Sequence, residues 1–175
     1  MRLVGVTPGI VHSVAREPDV RESAFATVYA AHYDQLIRLA LVTTGSVPAA
    51  EDIVQDAFLA LYRSWDEVAE PGAWLRRVVV NRSTSWLRRL HVARRYAARQ
   101  APGAPLPPPT ADDAAVRAAL RRLAPRQRAA LFLRYYLDQP EAQIAETLGC
   151  RPGTVKSLLH RGLATLKQHL EGAPR

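Results

Sequence analysis

Residues 139–166 read QPEAQIAETLGCRPGTVKSLLHRGLATL, and this stretch decides the fold. Ile144, Ala145 and Leu148 share one apolar helical face, Gly149 permits the positive φ of a tight turn, and Pro152 opens a second helix with its φ already set. The pattern is that of a helix-turn-helix. In the second helix Val155, Leu158, Leu159, Leu163, Leu166 and Leu170 return every three or four residues and are expected to pack inward. Thr154, Lys156, Ser157, His160 and Arg161 are left on the other side, a short basic face dense in hydrogen-bonding groups. Near the amino end of such a helix, side chains of this kind reach base edges in the major groove, so nucleic acid is the expected partner.

The rest of the chain fits that expectation. Its formal net charge of +8 and pI near 10.4 favour an acidic partner. With 48% hydrophobic but only 7% aromatic residues, it suits helical cores better than a large β-sandwich. An all-α protein of two small helical domains is expected. The single cysteine, Cys150, rules out an intramolecular disulfide framework and a CxxC metal clasp, reads as a small packing residue, and suits a reducing cytoplasm. No run of about 18 apolar residues suggests a membrane span. The amino end, broken by Pro8 and Gly9, does not read as a signal peptide.

Residues 1–20 are expected to form a loose extension and residues 21–98 a first helical domain. Phe25, Val28, Tyr29, His32, Leu36, Leu39, Ala40 and Thr43 trace its first helix, with Gly45 placed to end it. A start signal at Ser46–Pro48 precedes a second helix striped by Val54, Ala57, Phe58, Leu61, Tyr62 and Trp65, whose Glu51 and Asp52 suit a first turn. Pro71 opens a long third helix through Trp74, Leu75, Val78, Val79, Trp86, Leu87 and Leu90; its length favours helix over a strand at Val78–Val80. Residues 99–111 predict an extended linker, since the stretch from Gln100 to Thr110 holds five prolines and no charge. Residues 112–171 predict a four-helix domain: a helix capped by Asp112 and Asp113, one opened by Pro125 with Leu131, Phe132, Tyr135 and Tyr136 for packing, and the helix-turn-helix.

Charge divides sharply along the first domain. Glu51, Asp52, Asp56, Asp66, Glu67 and Glu70 face Arg63 alone across residues 51–70, whereas residues 71–110 hold Arg76, Arg77, Arg82, Arg88, Arg89, Arg94, Arg95 and Arg99 and no acid. The arginine helix reads either as a second nucleic-acid surface or as a solvated basic face. An acidic helix beside it makes a poor DNA surface and a good docking surface for a basic protein element.

Three segments in this order resemble the extracytoplasmic-function sigma factors of bacterial RNA polymerase: EDIVQDAFLALYRSW from Glu51 to Trp65, WLRRVVVNRSTSWLRR from Trp74 to Arg89, and Leu123 to Gly162. The resemblance spans about Ser23 to Leu170 and implies a transcription initiation factor that binds core RNA polymerase and directs it to promoter DNA. It implies that Asp52, Gln55, Asp56 and Phe58 bind the polymerase clamp coiled coil. Asn81, Arg82, Ser85, Arg88 and Arg89 would meet the minus-10 element as single-stranded bases. Arg151, Thr154, Lys156, Ser157, His160 and Arg161 would read the minus-35 element, and the proline-rich segment would thread past the polymerase active site. Many such factors are restrained by an anti-sigma factor wedged between their domains.

Two positions depart from the family's pattern. Arg151 stands where a capping Ser is common, and Leu158 where an Arg is common, so minus-35 contacts do not carry over at position 158. Trp65, Trp74 and Trp86 read as core packing rather than base stacking. A LuxR-type regulator has a similar GCxxGTVKSxLxR pattern, but the amino half lacks the alternating strands of a receiver domain. No phosphate loop, HExxH, Cys/His metal spacing or glycine-rich nucleotide fingerprint is present, so neither an enzyme nor a cofactor is expected.

Overall fold

The computed structural model describes residues 20–97 and 114–171. Among them the chain forms seven α-helices and no strand: α1 Val20–Thr44, α2 Val47–Arg63, α3 Pro71–Ala97, α4 Ala114–Arg122, α5 Pro125–Tyr135, α6 Glu141–Leu148 and α7 Pro152–Glu171. One 3-10 turn, Trp65–Glu67, joins α2 to the segment before α3. The all-α reading is therefore correct, and Val78–Val80 lie inside the long α3 rather than in a strand. The expected amino extension apart from Val20, which begins α1, together with all of the proline-rich linker and the capping pair Asp112 and Asp113, falls outside the described residues.

Local chemistry sets the breaks between helices. Gly45 leaves α1 at φ 74°, its N–H donating to the Leu41 carbonyl at 2.7 Å. One residue on, the Ser46 hydroxyl accepts the Ala49 N–H at 3.4 Å and caps α2. That cap begins α2 at Val47, so Glu51 and Asp52 lie beyond the first turn instead of in it. Their charges are thus poorly placed to answer the helix dipole, which fades within one turn. Between α5 and α6, Asp138 takes φ 47°, a left-handed conformation that Asp tolerates better than most residues.

The helix-turn-helix closes as its sequence dictates. Gly149 sits at φ 59° and ψ 49°, its N–H donates to the Glu146 carbonyl at 3.2 Å, and the Cys150 N–H donates to Ala145 at 2.9 Å. This bond pair is a Schellman closure, which satisfies carbonyls orphaned at the end of α6. Arg126 of α5 adds a third donor, to the Leu148 carbonyl. On α7, Val155 and Leu159 are buried as expected and Leu158 and Leu166 are half-buried, but Leu163 is 43% exposed. The inward arc is narrower than the leucine spacing suggests, because Gly162 lets α7 approach α5 closely: a Cβ there would sit 3.0 Å from Leu131 Cδ1.

α1, α2 and α3 pack on one another, α7 packs on α4, α5 and α6, and the two groups meet where α5 lies on α1 and α6 on α3. Buried side chains from both groups belong to one cluster, from Leu36, Leu39, Val54 and Leu75 to Leu133, Ile144 and Val155. At the seam Arg38 of α1 donates to the Tyr136 hydroxyl, with its guanidinium carbon 5.5 Å from that ring's centroid. Tyr135 and Tyr136, expected in the core, are exposed instead, because helix α5 ends at this point and turns its last residues outward. A recess of about 480 Å³ opens along the seam between the start of α3, including Arg76 and Arg77, and Gln143, Glu146 and Thr147 of α6.

Candidate functional site

Three surfaces carry the residues singled out by sequence. The first lies on α2. Asp52, Gln55 and Asp56 are exposed, one helical turn apart, on the side away from buried Ile53, Val54 and Ala57. Phe58 is only 3% exposed, yet with Phe25, Tyr29, Gln55, Leu59 and Tyr62 it lines an almost wholly apolar groove between α1 and α2. Aromatic edges fix its shape: Phe25 meets Tyr62 at 5.2 Å and Tyr29 meets Phe58 at 4.6 Å between ring centroids. Sequence periodicity placed Tyr29 and Tyr62 in the core and passed over Leu59, which is 55% exposed. A large apolar residue outside the stripe of Val54, Ala57, Phe58 and Leu61 was the signal available.

The second surface is the exposed side of α3. Asn81, Arg88 and Arg89 are exposed and Arg82 and Ser85 half-buried. The inward side is held by Leu75, Val79, Val80 and Ser83, all buried. Trp86 is half-buried and packs against the core, in line with a packing role. Arg82 Nη1 donates to Asp56 Oδ2 at 2.7 Å, joining α3 to α2. Around that pair lies a recess of about 370 Å³, with Asp52 and Asp56 on one helix and Asn81, Arg82, Ser85 and Arg89 on the other. Residues given two different partners by sequence therefore line one hollow.

The third surface is the outer face of α7. Arg151, Thr154, Lys156, His160 and Arg161 are exposed and Ser157 is half-buried. Arg151 caps the helix through its backbone, its carbonyl accepting the Thr154 N–H at 2.9 Å, so the missing Ser side chain is replaced in part. The Ser157 hydroxyl donates to the Gly153 carbonyl at 3.1 Å, which leaves its lone pairs outward. Arg161 spends its Nε on the Ser157 carbonyl at 3.3 Å and keeps its terminal nitrogens for another acceptor. α7 touches only α4, α5 and α6 among its principal packing partners, so this face is not covered by the first three helices.

Among the described residues no three His, Cys, Asp or Glu side chains gather in a way that could hold a metal. None of their helices is long and apolar enough to cross a membrane. Cys150 is half-buried in the α6–α7 turn and unpaired.

Residues 28–95 match the family described as Sigma-70 region 2, and residues 113–166 match Sigma-70, region 4. The chain is similar to the RNA polymerase sigma-E factor of Streptomyces avermitilis, 36% identical over 149 residues that cover 79% of this chain and 80% of that protein. It is also similar to the ECF RNA polymerase sigma factor SigM of Mycobacterium tuberculosis, 36% identical over 159 residues covering 84% and 77%. Among solved structures, the extracytoplasmic function sigma factor SigJ of M. tuberculosis superposes with TM-score 0.59 at 29% identity, covering 81% of this chain and 52% of that one. The sigma factor RpoE of Bartonella quintana, solved with the anti-sigma factor NepR, gives TM-score 0.71 at 22% identity, covering 87% and 99%, a likeness of fold alone. Both halves of the family's pattern, in order on one chain and at this identity, place it: the chain belongs to the extracytoplasmic-function sigma factors of the sigma-70 type.

Proposed function

We propose that α2 docks this chain on core RNA polymerase through Asp52, Gln55, Asp56 and the groove edge at Phe58, while α3 and α7 hold two separated promoter elements. Membership of the family makes the chain a transcription initiation factor that binds core polymerase and directs it to promoters; the polymerase performs the chemistry. In this reading Asn81, Arg82, Ser85, Arg88 and Arg89 take the minus-10 element, and Arg151, Thr154, Lys156, Ser157, His160 and Arg161 the minus-35 element. The region before and including α2–α3 acts as the promoter-melting domain, and the α4–α7 region as the duplex reader.

The observation that carries the assignment is the sidedness of α7: Val155 and Leu159 are buried while Lys156, His160 and Arg161 on the same helix are exposed. A basic outer face on the second helix of a helix-turn-helix is what major-groove entry requires. A LuxR-type regulator is not favoured, since the Sigma-70 region 2 match occupies residues 28–95. Two neighbours of like fold were solved with a second protein, RpoE with the anti-sigma factor NepR and CnrH with the cytosolic domain of CnrY. An anti-sigma partner, and action in the cytoplasm where the polymerase works, are proposed for this chain too.

In vitro transcription with purified core polymerase on a genomic template library tests the function. Initiation at specific new start sites is expected, with two shared upstream elements. No chain-dependent initiation would refute the proposal.

A further inference from the structure

The recess between α2 and α3 brings together groups that the function sends to different partners. Asp56 belongs to the polymerase-docking face and Arg82 to the promoter face, yet they bind each other at 2.7 Å across 26 residues of sequence. We propose that this pair is a coupling device: in the free chain Asp56 keeps Arg82 engaged, and a basic docking element that takes the Asp56 carboxylate frees the guanidinium for DNA. Asp56 is thus a positioning residue for promoter contact. The inference rests on the docking and promoter roles proposed above.

Charge bookkeeping around the recess supports it. A guanidinium already paired to a carboxylate adds little net charge to the field a phosphate feels, and DNA can engage it only by displacing the carboxylate. Both side chains keep roughly half their surface in water, 42% for Arg82 and 59% for Asp56, so the pair is weak and exchanges readily. That weakness suits a relay, because a strong buried pair would hold Arg82 whatever docked. Asp52 lies one turn from Asp56 on the same recess wall and Arg89 two turns from Arg82 on the other, so each partner would approach the hollow from its own side. Linkage is reciprocal: DNA that captures Arg82 releases Asp56 for the polymerase by the same factor.

The full-length chain can be tested with a fluorescein-labelled, mixed-sequence, single-stranded DNA of about twelve nucleotides, read by anisotropy across a salt series. Asp56→Asn should bind this probe several-fold more tightly than the native chain, with a log–log salt slope steeper by about 0.7, one released phosphate contact on a single strand. In the Arg82→Gln background the same substitution should add nothing. An unchanged slope, or an equal gain with Arg82 replaced, would overturn the relay and leave the docking role standing. With saturating core polymerase the native and Asp56→Asn slopes should coincide, and a persisting difference would also overturn it. Failure of the native holoenzyme to initiate on any template would instead remove the docking and promoter roles themselves, a result separable from the free-chain arm. Unchanged helical circular dichroism checks that these exposed substitutions leave the fold intact.

Discussion

Gly149 is required for its backbone, not for space. A Cβ built on it meets no atom within 4 Å, but its φ of 59° lies in the left-handed region. Gly149→Ala should therefore destabilise the protein by about 1–2 kcal/mol through conformation alone, seen as a lower urea midpoint. His32 makes a different argument. Burial first, and the Arg76 charge second, hold its pKa below the ordinary value of 6.5. The unfolded chain then takes up the proton first as pH falls, so this contribution is full above about pH 6.5 and is lost progressively below it. His32→Gln should flatten the fall in urea midpoint between about pH 7.5 and about pH 5.5; an unchanged fall would assign the acid sensitivity to other groups. Gly149 was plain in the sequence because one residue type answers one backbone need. Asp138 was not, since nothing in YYLDQP singles out the residue that turns left-handed. The exposure of Leu163 was hidden for a related reason: Gly162, not the leucine spacing, decides how near α7 comes to α5.

α2 shows how far periodicity reaches at the scale of an element. Val54, Ala57, Phe58 and Leu61 of the expected stripe are buried opposite the acidic face, as 3.6-residue spacing dictates, but Tyr62 is exposed and Trp65 falls in the 3-10 turn beyond the helix end at Arg63. The groove beside them needed α1 as well, since Phe25 and Tyr29 supply two of its six lining residues. Leu59 is the residue to change there. At 55% exposure, Leu59→Glu should alter stability by no more than about 0.5 kcal/mol. Affinity for core polymerase should nevertheless fall at least tenfold, in a pull-down or by anisotropy, because a charge would enter an apolar contact. Equal loss of folding would move Leu59 to a structural role. The Asp56–Arg82 bond was illegible for another reason: each helix gives the direction of its own side chains, and only their relative placement makes the pair.

Across the whole molecule the seam is the feature that no sequence pattern announced. α5 lies on α1 and α6 on α3, with Arg38 and Tyr136 meeting across 98 residues of sequence. A double-mutant cycle on Arg38→Ala and Tyr136→Ala should return a coupling of about 0.5–1 kcal/mol, the range for an exposed cation–π contact. Zero coupling would mean that the seam parts freely in solution. The separate helices were readable because each carries its own stripe; their docking was not, since half-buried residues such as Phe132 carry no label for the surface that covers them.

The apolar cluster runs without a break from Leu36 in α1 to Leu159 in α7. Heat should therefore melt the free chain in one cooperative step, and scanning calorimetry should record a single endotherm whose calorimetric and van't Hoff enthalpies agree. A docking partner that pries the helix groups apart would split that peak in two, making the calorimeter a direct gauge of how firmly the molecule is folded shut.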